Sequence, residues 1–319
     1  MIVFILNSMG ARDTGISSVC DLFCGAGGFS LGFKRAGFRI VAGFDNDPSA
    51  RASYIANGLA YCYSQDLFLE DAAVDLVRRH SPEIVIGGPP CQDFSQSGSR
   101  VECKNSRLLE AFASIAVGVS PRLILMENVP LAQFSRAYEN CCRRLGSEGY
   151  TLSSITMRAA QFSVPQTGKR MFLIASRDAA DFIGVTKTVA DLESVQNKDA
   201  RPVTVRDVLP DIDTEYFYYL SGTYDRQAVY SIDGLAPTIL CRNWPIPSSY
   251  AKRKNRDLDD APVSLSRRLT TTELGVVQGF PRDWIWGRND TESMKLIGNA
   301  SPPPMAEWIA NTLYLNLRF

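Results

Sequence analysis

Cys91 stands in the run Gly87-Gly88-Pro89-Pro90-Cys91-Gln92-Asp93-Phe94-Ser95-Gln96-Ser97-Gly98, directly after the apolar Ile84-Val85-Ile86. The apolar run reads as a buried strand, and two successive prolines cannot continue its hydrogen-bonded ladder. The thiol is therefore expected on a stiff loop at a strand's carboxyl end, where open α/β sheets place their chemistry. A cysteine there is a candidate nucleophile, because its thiolate is accessible near neutral pH when positively polarised. No histidine base accompanies it by default: His80 is the one histidine of the chain, expected at a polar helix end before Ser81-Pro82. A carboxyl and a guanidinium complete the set. Glu127 closes Leu123-Ile124-Leu125-Met126, apolar surroundings that raise a carboxyl's pKa and keep it protonated. Arg170 ends the stretch Gln166-Thr167-Gly168-Lys169-Arg170. Taken singly, Cys91 equally fits an inert buried thiol, and Glu127 a capping or ion-paired residue.

A second group of residues suits a nucleotide-like ligand. Phe23-Cys24-Gly25-Ala26-Gly27-Gly28 leaves the first strand, and its glycines allow backbone to approach a ligand closely. Asp45, at the end of the second strand, is an acid placed to bind ribose hydroxyls. The loop does not match G-x-G-x-x-G in register, which argues against a pyrophosphate. Seen alone, it also fits a tight strand–helix turn.

Both groups need a scaffold, and the chain up to about residue 177 supplies one. Strands at 19–23, 39–44, 83–86 and 123–126 alternate with helices at 29–36, from Pro48, at 71–79 and at 108–117. This βαβ rhythm predicts an α/β fold, a doubly wound parallel sheet covered on both faces. Residues 153–157 and 171–176 are expected to form a terminal hairpin. From 178 the rhythm breaks into polar and aromatic stretches, which predicts a second, smaller, β-rich unit. The expected division is 1–177, 178–285, and a segment 286–319 that returns to the first unit. Thr270-Thr271-Thr272-Glu273 is a capping box for a helix that stops near Gly279-Phe280-Pro281.

The 319 residues carry 34 basic and 34 acidic side chains, a formal net charge of zero. That weighs mildly against a nucleic-acid binder. Local clusters survive the averaging: Lys252-Arg253-Lys254-Asn255-Arg256, and 158–170 without an acidic residue. Eight cysteines include no Cys-x-x-Cys pair, so neither a zinc site nor a secreted disulfide framework is expected. A reducing cytoplasm is the natural setting. Met1-to-Leu6 is too short for a signal peptide or membrane span and is expected to be a disordered leader or an early strand.

In their order along the chain, Asp21-to-Gly28, Pro-Pro-Cys91-Gln-x-Phe-Ser, Glu127-Asn128-Val129, Arg170 and Gly298-Asn299-Ala300 resemble the cytosine-C5 DNA methyltransferase family. The resemblance spans nearly the whole chain except about 178–226. It also takes in Arg268-Leu269-Thr270 through Gln278-Gly279-Phe280-Pro281, and Tyr230-Ser231 with Ala236-Pro237-Thr238-Ile239. It implies a Rossmann-like methyltransferase sheet with a small target-recognition domain, the cofactor S-adenosylmethionine, and double-stranded DNA as partner.

By the same resemblance, Cys91 adds to carbon 6 of a flipped cytosine and makes carbon 5 nucleophilic. Glu127 neutralises ring nitrogen 3 and Arg170 holds the ring carbonyl. Gly25, Ala26, Gly27 and Gly28 hold the methionine part of the cofactor. Phe23 and Asn46 flank the adenine, Asp45 takes the ribose, and Asp66 with Leu67 meets the adenine edge. Pro90, Leu108, Asn299 and Ala300 complete that pocket. Ser95, Gln96, Lys169, Thr238, Lys252, Arg253 and Lys254 are the expected DNA contacts. No metal is implied. A monomer is the expected state, with a cognate restriction endonuclease as functional companion.

Two departures from the family pattern stand out. Gly168 occupies the place of the first arginine of Gln-x-Arg-x-Arg, so that Lys169 is left to compensate, and Ser301 stands where valine is usual. Other readings stay open. A tRNA cytosine-C5 methyltransferase shares this fold, but the Cys-Phe-Thr signature of that group is absent, since Cys241 is followed by Arg242-Asn243. A catalytically dead module that binds DNA or cofactor is the other. An amino-group methyltransferase is disfavoured, because its Pro-Pro loop ends on an aromatic and not on cysteine.

Overall fold

The structure is a computed structural model that describes residues 17–90, 107–178, 181–196, 201–220, 228–242, 245–246 and 259–317. Its centre is a seven-stranded sheet in the order β3-β2-β1-β4-β5-β7-β6. The strands are β1 (Ser18–Leu22), β2 (Arg39–Asp45), β3 (Cys62–Ser64), β4 (Ile84–Gly87), β5 (Leu123–Asn128), β6 (Thr151–Arg158) and β7 (Lys169–Ser176). The first five are parallel. β7 runs antiparallel between β5 and β6, which makes the expected terminal hairpin.

Strands β4 and β5 are buried along their whole length, as a central parallel sheet covered on both faces requires. Alternation sends Val85, Ile124, Met126, Met171 and Leu173 into one core, and Ile84, Ile86, Leu123, Leu125, Phe172 and Ile174 into the other. The first core is covered by α3 (Glu70–Arg78), α4 (Arg107–Val119) and α5 (Arg136–Ser147). The second is covered by α1 (Gly28–Arg35), α6 (Phe182–Gln196) and α10 (Pro303–Asn316). Helix α6 falls after residue 178, yet Val185 and Leu192 are fully buried against the large sheet's core. Its apolar positions find cover there before the chain leaves for the smaller unit. One further helix, α2 (Pro48–Ala56), is capped by Asp47, whose carboxylate accepts from the Ser49 amide.

The smaller unit holds a three-stranded sheet, β10-β8-β9, made of β8 (Tyr216–Tyr218), β9 (Val229–Ser231) and β10 (Ser266–Arg268). Phe217, Tyr219, Ile232 and Ile239 pack there against α7 (Val205–Val208), α8 (Thr271–Val277) and α9 (Asp290–Asn299). The Thr270–Glu273 capping box opens α8, and Gly279 at φ +96° follows its end. Among the described residues no helix is long and apolar enough to cross a membrane.

Candidate active site

Strand order reverses between β1 and β4, and Leu22 pairs with Gly87. The glycine loop after β1 and the Pro-Pro loop after β4 therefore leave the sheet side by side, at the switch point where such sheets bind ligands. The carboxyl ends of β2 and β3 extend the site to one side, and the carboxyl end of β5 with the start of β7 extends it to the other.

On the first side the glycine loop turns through left-handed backbone at Phe23 (φ +56°), Gly25 (φ +54°) and Gly27 (φ +89°). For Phe23 that conformation costs about 1 kcal/mol, and it is held by the Cys24 amide bonded to the Phe44 carbonyl at 3.2 Å. Asp45 grips the loop. Its Oδ2 accepts from the Gly25 amide at 3.0 Å and its Oδ1 from the Asp47 amide at 2.8 Å. Burial pushes the Asp45 carboxyl up from its ordinary range, and these two amides pull it partly back. Space beside Gly25 is open, with nothing within 4 Å of where a Cβ would stand. Gly28 is the opposite case: a Cβ there would run into the Ser301 carbonyl, so the segment carrying Asn299 and Ala300 lies directly on the loop.

Phe23 is half-buried and Ala26 buried. Asn46 and Asp66 are exposed where β2 and β3 end, and the Asp66 carboxylate accepts from the Phe68 amide at 3.0 Å. Leu67 is buried in the first core, Leu108 is buried in the first turn of α4, and Pro90 is half-buried. Exposed Asn299 accepts a 2.8 Å hydrogen bond from the Cys241 thiol of the smaller unit.

On the second side, Glu127 pairs with Phe172 across β5 and β7, so Arg170, two residues along, shares Glu127's sheet face. The guanidinium Nε lies 3.1 Å from Glu127 Oε1, and both side chains are about nine-tenths buried. Burial raises the Glu127 pKa, and neighbouring Arg170 offsets only part of that. The other carboxylate oxygen, Oε2, faces Gly88. Asn128 Nδ2 donates to the Pro89 carbonyl at 3.1 Å, which pins the Pro-Pro loop one residue short of Pro90.

Lys169 is exposed and, by alternation, on the face opposite Arg170. Thr238 is half-buried beside Gly168, where a Cβ would stand 3.1 Å from Thr238 Oγ1 and 3.4 Å from Arg170 Nη1. Cys91, Ser95, Gln96, Lys252, Arg253 and Lys254 lie outside the described residues.

Several residues at the site carried no role in the sequence reading. Asp21 is fully buried beneath the glycine loop. Its Oδ2 accepts from Ser30 Oγ at 2.6 Å, Oδ1 has no partner among the described residues, and burial pushes its pKa up to about 7. Lys295 of α9 bonds the Asp47 carboxylate at 2.6 Å. Asn128, Gln166 and Gln278 all sit inside motifs read from the sequence, and their place there was the available signal. Their functions depend on hydrogen bonds spanning up to 112 positions of the chain, which spacing does not reveal.

The doubly wound sheet thus brings together at its switch point a glycine loop, an acid that ends β2 and a buried Glu–Arg pair close to Pro89. The profile of the C-5 cytosine-specific DNA methylase family matches residues 17–232 and 216–314. The Type II methyltransferase M.HgiDI of Herpetosiphon aurantiacus is 41% identical over 302 residues, covering 93% of this chain and 94% of that protein. The Type II methyltransferase M.HindV of Haemophilus influenzae is 34% identical over 295 residues, covering 92% and 95%. Among solved structures, S. pombe Dnmt2 methyltransferase superposes with a TM-score of 0.68 at 18% identity, over 95% of this chain and 100% of that one. The Entamoeba histolytica methyltransferase EhMeth gives 0.66 at 16%, over 96% and 100%. These two speak to the fold. The chain belongs to the C-5 cytosine-specific DNA methylase family and is a DNA cytosine methyltransferase.

Proposed function

We propose that the protein methylates carbon 5 of cytosine within a short specific sequence of double-stranded DNA, with S-adenosylmethionine as donor and Cys91 as nucleophile. The observation that carries this reading is the buried Glu127–Arg170 pair, next to the loop that Asn128 holds. It supplies an acid with raised pKa and a cation where a ring gains negative charge. The cofactor fits the first side on the structure's own terms: open space at Gly25, and Asp45 whose oxygens each keep a lone pair free of the loop amides. Phe23, Asn46, Asp66, Leu67, Pro90, Leu108, Asn299 and Ala300 would line it.

When bound, S-adenosylmethionine supplies the methyl group. The chain's own residues do the rest. Cys91 thiolate adds to carbon 6 of the base, forming a C–S bond while electron density moves onto carbon 5 and the ring. Glu127, protonated through burial, donates at nitrogen 3, and Arg170 stabilises the carbonyl oxygen. Carbon 5 takes the methyl group, nitrogen 3 returns its proton to Glu127, and loss of the carbon 5 proton to water with breaking of the C–S bond restores the aromatic ring and the free thiolate. The base must leave the duplex to reach this site. Ser95 and Gln96 would close behind it, Thr238 and Lys169 would hold backbone, and Lys252, Arg253 and Lys254 would neutralise phosphates.

The small sheet with its flanking segments would be the target-recognition domain. The names of the relatives support a restriction endonuclease as functional companion, and we read the enzyme as a monomer acting in the cytoplasm. Tritium transfer from labelled S-adenosylmethionine to duplex DNA tests the activity. A duplex with 5-fluorocytosine at the target should trap wild type in a denaturation-resistant adduct, and Cys91→Ser should form none while still binding DNA. Absence of the adduct at a methylated site would overturn the mechanism.

A further inference from the structure

Gln166 is 1% exposed and Gln278 fully buried, and together they connect three separate parts of the site. Gln166 Oε1 accepts from the Ile239 amide at 3.3 Å. Its Nε2 donates to the Val277 carbonyl at 3.0 Å and to Gln278 Oε1 at 2.6 Å. Gln278 Nε2 then donates to the Ala300 carbonyl at 2.7 Å. Ile239 follows Thr238, the residue beside Gly168 and Arg170, and Ala300 belongs to the segment that lies on the glycine loop. Backbone bonds from Thr167 to Ala236 and from Ala236 to Pro165 hold the same strip of the smaller unit against the start of β7.

The relay has a direction. The Ile239 N–H must meet an oxygen, which turns the Gln166 nitrogen toward Gln278. Gln278 must then offer oxygen to Gln166 and nitrogen to Ala300. Reversing either amide would bring like groups together in a buried place, where an unmade hydrogen bond is costly.

We infer that Gln166 and Gln278 are positioning residues that lock the Thr238 strip and the Asn299–Ala300 segment in one register with Arg170 and Glu127. This rests on the methyl-transfer reading, because only a reaction joining two ligands needs both halves held together. Neither glutamine need touch a ligand for this. Misplacement of a reacting group by a fraction of an ångström is enough to slow transfer.

Gln166→Glu and Gln278→Glu keep size and shape but replace each donor with an acceptor. Binding of S-adenosylhomocysteine without DNA is measured by calorimetry at pH 8, with kcat and KM on duplex DNA and the melting temperature alongside. Wild-type methyl transfer serves as the control for the functional reading itself. Gln278→Glu should weaken the ligand about tenfold. Gln166→Glu should weaken it as well, although Gln166 lies one residue further from the cofactor segment, because Gln278 must turn to meet the new carboxylate. The double variant Gln166→Met with Gln278→Met, which adds no like-charge contact, should be no worse than the weaker Met single variant. If either Glu variant does not fold, Gln166→Met and Gln278→Met are read in the same way. A folded Gln166 variant with wild-type ligand affinity overturns the relay. So do variants that lower only the melting temperature and leave Kd, KM and kcat unchanged.

Discussion

Arg170 Nε lies 3.1 Å from Glu127 Oε1 at the ends of two antiparallel neighbours, with both side chains turned to one face of the sheet. The guanidinium also bonds its own strand, through Nη1 to the Lys169 carbonyl at 3.0 Å. It is thus fixed from two directions, while Glu127 turns Oε2 toward Gly88. Glu127→Gln keeps the shape but cannot deliver a proton as charge builds on the base. We expect kcat to fall by about two to three orders of magnitude with donor KM within about threefold. Single-turnover methyl transfer checks this, and a variant that loses donor binding and keeps kcat would reverse the assignment.

Asn128 offers a separate test of loop placement. It donates to the Pro89 carbonyl and accepts from the Val129 amide at 2.8 Å. Asn128→Asp retains the second bond and turns the first into a meeting of two oxygens. The Pro-Pro loop then loses its anchor, and kcat should drop about 10- to 100-fold from a loss of one to three kcal/mol. Rates of 5-fluorocytosine adduct formation should fall in parallel, since the anchor acts before methyl transfer.

The parts of this site legible in the sequence were those whose meaning is local. Two prolines end β4, Asp45 ends β2, and Thr270 with Glu273 opens α8, each readable from neighbours within a few residues. Helix α6 was not legible. Its apolar positions are ordinary for either unit, and its place against α10 and β6 is decided by tertiary packing. The Gln166–Gln278 and Lys295–Asp47 contacts were hidden for a related reason. Their partners lie 112 and 248 positions apart, and nothing in spacing selects one polar side chain for another at that range.

Asp21 makes the stability of the ligand-free protein depend on pH. Its pKa is raised from 3.8 to about 7 in the fold, chiefly by burial, with Ser30 pulling the other way. Between those values the folded chain keeps a proton that the unfolded chain has released. Stability on this account is therefore greatest below pH 4 and falls as pH rises toward 7, by on the order of 4 kcal/mol in all. Asp21→Asn cannot ionise, so its stability should change less across this window. Urea midpoints from pH 5 to pH 8 decide the matter, and parallel curves for variant and wild type would refute it.

Gly168 and Lys169 separate packing from charge at the point where the family's first arginine is missing. A methyl group on Gly168 would stand 3.1 Å from Thr238 Oγ1, which must give by a few tenths of an ångström, and 3.4 Å from Arg170 Nη1, at the edge of ordinary van der Waals contact. Thr238 is half-buried and turns more readily than Arg170, which is held by Glu127 and the Lys169 carbonyl. Gly168→Ala should therefore act through the Thr238 strip, lowering turnover on DNA about fivefold while leaving donor affinity in place. Lys169 presents only charge, from the face opposite Arg170. Lys169→Ala should weaken cognate and non-cognate duplexes alike and reduce the salt-dependence slope by about one, with kcat at saturating DNA unchanged. If instead kcat falls at saturating DNA while the slope stays put, the ammonium reaches around the strand to the base, and Lys169 stands in for the lost arginine at the site itself.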